Sequence, residues 1–346
     1  MKVKIKGIKI SAISSCVPKS KLDLSDLSDQ FGEKEVKKII KTTGIKSVRV
    51  SEKGVTTSDL CFLSSRKIML DCNIKSDEID GLIFVSQTAD YKMPQTSHIL
   101  QNRLGLKKET ICFDLPVGCN GYIYGLFQAS LLIQSGACNK VLVMCGDTTT
   151  KIINDKDRSL KMVFGDGGSS TLIEKGSDDI SFIIYSDGAK FKDLIVKSGG
   201  SRFPSSSSDN EVIMDEDGNS RSNSDLYMNG MAIFNFAISC VPKLIEEILD
   251  YSEWKKEDVD LFALHQANKF MIDYLRKKTK VNLNKMPVVV DGFGNTGSAT
   301  IPILLTETLN NKNKTKVVLC GFGVGLSWGA AACNLSKTNI IKTLEI

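Results

Sequence analysis

The side chains of this sequence best placed for chemistry are a cysteine on a bend, a histidine closing an apolar run and an asparagine among glycines. Cys119 lies in "DLPVGCNGYIYGLFQASLLIQSG", residues 114–136, between an apolar run and an apolar helix. A cysteine at a helix start meets unpaired N–H groups and the positive end of the macrodipole, which favour the nucleophilic thiolate. His265, in "LFALHQAN", can take or give a proton, and Gln266 and Asn268 add polar groups in the same stretch. Asn295, in "DGFGNTGSATIP", can donate a hydrogen bond without holding charge. Singly, each has a plainer reading: a core cysteine, a satisfied strand-end histidine, and a turn asparagine beside Gly294 and Gly297. His98, in "TSHILQNRLG", reads as a structural helix residue.

Composition narrows the classes. A chain of 346 residues, 42% hydrophobic and 25% charged, can bury a full core and has the make-up of a globular protein. The net charge of +5 is spread along the chain, a weak signal for an acidic partner and a weaker one for nucleic acid. The opening "MKVKIKGIKISAISS" alternates Lys with Val and Ile as a strand does, and no stretch reaches the roughly 18 to 20 apolar residues needed to span a bilayer. A cytoplasmic location is therefore expected. Cys61, Cys112, Cys145, Cys240, Cys320 and Cys333 fall inside predicted strands and helices, as reduced core cysteines do. With no CxxC pair and two histidines, no metal centre is expected.

Two pieces of the first half recur in the second. "DEIDGLIFVSQTADYK" from Asp77 is echoed by "EDVDLFALHQANKF" from Glu257, and "KVLVMCGD" from Lys140 by "KVVLCGFG" from Lys316. Strands are expected at 3–13, 81–86, 111–115, 140–146, 168–174, 181–186, 260–265, 286–290, 316–321 and 326–334. Helices are expected at 96–104, 120–135, 229–250, 268–279 and 298–309. Strands alternating with helical crossovers make an α/β fold, here duplicated into halves 1–176 and 177–346 about a pseudo-twofold. The Ser/Gly/Asp-rich insertion 198–225 has no period and reads as a loop, either a pocket cover or plain surface. The duplication puts Cys119 and Asn295 at equivalent loops, with His265 at a strand end one element earlier, where crevices form. "GFGVGLSWG" lacks phosphate-binding spacing; its glycines suit close approach of backbone to a pocket, presenting N–H groups to an oxygen.

"DLPVGCNGYIYGL", "DRSLKMVFGDGG", "YMNGMAIFNFAI", "LHQAN", "GFGNTGSATIP" and "GFGVGLSWGAA" follow one another over nearly the whole chain. In this order they resemble the 3-oxoacyl-acyl-carrier-protein synthase III family of thiolase-fold condensing enzymes. The resemblance implies a duplicated five-layered α-β-α-β-α fold, usually a homodimer. It matches the acylated nucleophile to Cys119, the histidine to His265 and the asparagine to Asn295. An oxyanion hole is implied from the backbone of Cys119 and Val324, beside Gly323, and a pocket residue contributed to the partner subunit matches Met93. Gln266 and Asn268 go with the histidine motif as substrate-binding candidates.

The implied reaction needs no cofactor beyond thioesters of coenzyme A or phosphopantetheine. Cys119 takes an acyl group, then a malonyl thioester loses carbon dioxide while His265 and Asn295 hold its enolate oxygen, and the carbanion attacks the acyl group. No carboxylate base is declared, Asp90 being the only acid in "SQTADYKMP". Where the family holds the adenine end of coenzyme A with a tryptophan and an arginine, this chain has Lys38 and Thr42; a further arginine matches Arg158. Weaker coenzyme A recognition and delivery by an acyl carrier protein are the expectation. Lys37, Lys38 and Lys41 could meet such a carrier, although a charged helix face is the plainer reading. Transfer to a hydroxyl or amine acceptor and a noncatalytic partner role remain as rivals.

Overall fold

The computed structural model describes residues 1–309 and 315–346. Its elements in chain order are β1 (Lys2–Val17), α1 (Glu33–Thr43), α2 (Thr57–Asp71), β2 (Gly81–Val85), α3 (Thr96–Arg103), β3 (Ile111–Leu115), α4 (Gly121–Gln134), β4 (Lys140–Thr148) and β5 (Asp166–Ser186). There follow α5 (Gly230–Ser252), β6 (Leu261–Leu264), α6 (Lys269–Thr279), α7 (Thr300–Thr308), β7 (Lys316–Gly323) and β8 (Ser327–Asn334).

Seven strands of a ten-stranded mixed sheet run in the order β6-β7-β8-β5-β4-β2-β3, the other three being β1 and the short strands Asn339–Ile340 and Leu344–Glu345 that pair parallel with it. β5 is what joins the arms of the sheet. Its first part pairs antiparallel with β4, from Lys140–Glu174 to Thr148–Asp166, and its last part with β8, from Ser327–Ser186 to Ala332–Ser181. β1 lies antiparallel along both parts, from Lys2–Ile183 to Cys16–Gly168. The strands expected at 168–174 and 181–186 are thus one element, and the 176/177 junction between halves falls inside it, near register shifts in its pairing with β1.

The layers follow from which faces are apolar. Ile123, Leu126 and Ala129 of α4 and Ile301, Leu304 and Leu305 of α7 share one buried core with Val85, Val143, Phe182, Ala263 and Leu319, so these two helices sit between the arms. α5 and α6 cover β6, β7 and β8 on the far side through Leu244, Ile248, Ile272 and Leu275. Cys61 and Ile68 of α2 and Leu100 of α3 cover β2 and β4 on the opposite outside. Both arms are covered on both faces, which is why their strands read as unbroken apolar runs.

One expected strand is absent: residues 286–290 join no sheet. Pro287 lacks a backbone donor, and the N–H of Val289 goes instead to the side chain of Gln266. The helix expected at 298–309 is a 3-10 turn over Gly297–Ala299 followed by α7. The insertion carries short strands, Ile213–Met214 paired with Ser220–Arg221. Arg221 bridges to fully buried Asp157 at 2.8 Å, and Asn154 bonds Asp225, so the insertion is tied to segment 154–159.

Candidate active site

Cys119 follows β3 by a turn closed by Gly121 N–H donating to Gly118 C=O, two residues ahead of α4. Space forces glycine around it. A Cβ on Gly118 would lie 2.3 Å from Gln87 Oε1, and one on Gly323 would lie 2.7 Å from both Cβ and Sγ of Cys119. The chain after β7 therefore crosses directly over the sulfur. The main-chain N–H groups of Val324 and of Cys119 itself favour the thiolate form of that sulfur. Burial nevertheless pushes the thiol up to about 11, the Asp147 charge adding to it and the two N–H groups opposing it. The expected thiolate-favouring setting is thus reversed in the resting site: desolvation outweighs the helix start.

His265 and Asn295 come from the second half. His265 leaves β6 with its N–H bonded to Cys320 C=O at 2.8 Å, and its ring is buried edge-on to Phe322, centroids 5.5 Å apart. Burial lowers its pKa to about 3, so the imidazole is neutral. Nδ1 lies 2.7 Å from Thr300 Oγ1. Asn295 is clamped to the first half, donating its N–H to Val163 and accepting at its C=O from Gly165. Its Oδ1 accepts from Gly297 N–H at 3.1 Å, which leaves Nδ2 as the donor at the cavity.

Asp147 fixes the two halves against each other. At the end of β4, it accepts from Gln87 N–H at 2.8 Å on one side and from Ser298 N–H at 2.9 Å on the other. Burial raises its pKa to about 6, the donors opposing.

Cys119, His265 and Asn295 line one cavity of about 370 Å³, together with Phe322 and Gly323 and an apolar wall that includes Met228, Met231, Phe234 and Phe270. Cys119 also lines a second cavity of about 320 Å³, with Phe164, Leu194, Ile195, Leu226 and Val324. Cys119, Phe164 and Leu194 line both cavities.

The remaining candidates divide. Asn268 lines the first cavity while capping α6, its Oδ1 accepting from Met271 N–H at 2.9 Å. Gln266 lines neither cavity: buried, it donates to Leu264 C=O and accepts from Val289 N–H, each at 2.8 Å. Met93 is 83% exposed and lines neither cavity of its own chain. Arg158 also lies outside both, donating to Asp217 C=O of the insertion at 3.0 Å. Thr300, Phe322 and Asp147 escaped sequence reading. Phe322 alone had a signal, its place between Gly321 and Gly323.

One half supplying a sulfur under main-chain donors, and the other supplying a neutral imidazole and an amide, place the protein among the thiolase-fold condensing enzymes. Residues 113–188 match the family model for 3-oxoacyl-[acyl-carrier-protein] synthase III, and residues 249–335 match that for its C-terminal part. The beta-ketoacyl-[acyl-carrier-protein] synthase III of Lactococcus lactis strain IL1403 is 35% identical over 335 residues, covering 94% of this chain and 99% of that protein. The synthase of the same name from Caldanaerobacter subterraneus is 32% identical over 318 residues, covering 90% and 91%. The crystal structure of 3-oxoacyl-(acyl-carrier protein) synthase from Burkholderia xenovorans LB400 superposes with a TM-score of 0.93 at 36% identity, covering 100% of this chain and 99% of that one.

The chain belongs to the 3-oxoacyl-[acyl-carrier-protein] synthase III family. It is a condensing synthase that joins an acyl thioester to a malonyl thioester with loss of carbon dioxide, in fatty-acid or specialised acyl biosynthesis.

Proposed function

We propose that the acyl group is carried on Cys119, which makes the synthase an acyltransferase in its first half-reaction. The observation that carries this is the close passage of the Gly323 backbone over Cys119 Sγ, at a residue that lines both cavities. The thiol loses its proton as the donor thioester binds, and the sulfur attacks the thioester carbon. The two N–H groups hold the tetrahedral oxyanion, and the donor thiol leaves with a proton. The acyl chain then occupies the second cavity. A malonyl thioester enters the first with its thioester oxygen between His265 and Asn295 Nδ2. As carbon dioxide departs, their hydrogen bonds stabilise the enolate, whose carbon attacks the acyl carbonyl and releases Cys119. Sulfur, oxyanion donors, imidazole and amide suffice for each step, so we assign no cofactor beyond the thioester substrates.

We further propose that the acyl group arrives on the phosphopantetheine of an acyl carrier protein more readily than on coenzyme A. Arg158 is held by the Asp217 carbonyl, and Lys38 and Thr42 offer no aromatic surface for an adenine. The working unit is taken to be a homodimer, in which Met93 reaches the partner's acyl cavity. Ten free thiols fit a cytoplasmic home.

Intact-protein mass after exposure to acyl thioesters on coenzyme A and on carrier protein tests the reading, with Cys119→Ala alongside. A discrete adduct on the wild type alone, formed faster from carrier protein, is expected. No adduct across a broad panel would remove Cys119 as acyl carrier, and an equal or faster reaction with coenzyme A would remove the donor assignment. Adding malonyl thioester should discharge the adduct as a β-ketoacyl product; discharge only to a hydroxyl or amine acceptor would contradict condensation.

A further inference from the structure

We propose that Thr300 is a positioning residue of the condensation: its hydroxyl donates to His265 Nδ1, which fixes the neutral ring with its proton on Nε2, facing substrate. This rests on the reading of His265 as a donor to the malonyl thioester oxygen. A neutral imidazole carries one N–H, and the partner of one nitrogen decides where it sits. Nε2 has no protein partner among the described residues, so Thr300 is the group that decides.

The hydroxyl has one proton and two acceptors within reach. His265 Nδ1 lies at 2.7 Å and Gly297 C=O at 3.1 Å. The second distance is beyond the ordinary range of a hydroxyl-to-carbonyl bond, about 2.5–3.0 Å, whereas the first is short and strong. Gly297 C=O is already served by the backbone N–H of Thr300, the turn that opens α7. The carbonyl therefore keeps a donor when the hydroxyl proton turns to Nδ1, whereas an unprotonated Nδ1 buried beside it has no other donor among the described residues. The opposite arrangement, Nδ1–H donating to Oγ1, would turn a lone pair on Nε2 toward the enolate and set it against the charge it must stabilise.

The same short turn serves both donors. Gly297 N–H holds Asn295 Oδ1, turning Nδ2 to the cavity, and Thr300, three residues on, turns Nε2–H to it. The stretch from Asn295 to Thr300 thereby sets the polarity of both groups that meet the substrate oxygen. Thr300 is 3% exposed and lines neither cavity, so it acts through His265.

The chain has two histidines, so a sample labelled with 15N-histidine shows two rings, and the exposed His98 is assigned by His98→Gln. In the wild type and Thr300→Ser the protonated nitrogen of His265 is expected to be Nε2; in Thr300→Val, which keeps the shape and removes the hydroxyl, that preference is lost. Malonyl decarboxylation should fall about 10- to 100-fold in Thr300→Val, the size of loss known for partners that orient metal-bound histidines, with Cys119 self-acylation little changed and Thr300→Ser restoring the rate. A proton on Nδ1 in the wild type would overturn the assignment, as would equal slowing of both half-reactions in Thr300→Val or failure of Thr300→Ser to restore. Absence of self-acylation in the wild type would sink the acyl-enzyme reading instead, and the ring spectrum would still decide for or against Thr300.

Discussion

Cys119 is a neutral thiol at rest, and that has a measurable consequence. Alkylation requires the thiolate, and with the thiol pushed up to about 11 its rate should climb about tenfold per pH unit through the neutral and mildly basic range, since each unit below the pKa costs a factor of ten in thiolate. Iodoacetamide labelling followed by intact mass against pH, with Cys119→Ala as blank, checks this. A plateau beginning near pH 8 would mean that the helix start and the two N–H groups overcome burial. Sequence reading expects a thiolate-favouring setting at Cys119 where burial favours the thiol, because position before a helix is visible in residue order whereas the covering segment Gly323–Val324 arrives from about 200 residues away. Asn295 and His265 were legible for the same reason that Thr300 was not. The first two sit in runs whose repetition and order carry information; a threonine in "GSAT" looks like any helix-start residue until folding sets it 2.7 Å from a ring.

Among the elements, those that bury an apolar face were readable and those made by side-chain exchange were not. β2, β3, α6 and β7 fall within a few residues of their expected places, whereas the segment at 286–290 loses its strand to Pro287 and to the amide of Gln266. The insertion had no period to read. Its order comes from single polar ties: Arg221 to buried Asp157, Asn219 Oδ1 to Ser159 N–H, and Arg158 to Asp217 C=O. Removing one partner of a buried pair leaves a stranded charge and costs about 3–5 kcal/mol, here falling on the insertion rather than on the sheet. Arg221→Ala should therefore open residues 198–225 to limited proteolysis while Cys119 still takes an acyl group. If the opened segment also freed Arg158 for a nucleotide, acylation from coenzyme A would rise relative to carrier protein. Unchanged protease resistance would show that the remaining ties hold the segment without Arg221.

The whole molecule ends its sheet in two different ways. At one end, β6 is buried along its length; at the other, β3 has Ile111 exposed and Cys112, Phe113 and Leu115 half-buried. Ile111 N–H donates to Asp80 and Leu115 C=O accepts from Ser86, so residues 111, 113 and 115 turn their backbone groups inward toward β2. Cys112 and Asp114 turn theirs to the open edge. A row of free backbone groups beside apolar side chains is a site for strand addition, and a second copy of β3 would extend the sheet through a twofold axis. The loop carrying Met93 stands close in sequence to this edge, and its 83% exposed side chain lines neither of its own cavities, so pairing at β3 would also bring Met93 to a partner's site. Sedimentation should give a dimer for the wild type. Cys112→Pro deletes an outward N–H without touching the bonds to β2, and it should sediment as a monomer with weakened condensation. A wild type that sediments as a monomer with full activity would show that β3 is covered by nothing and that Met93 has no part in the site.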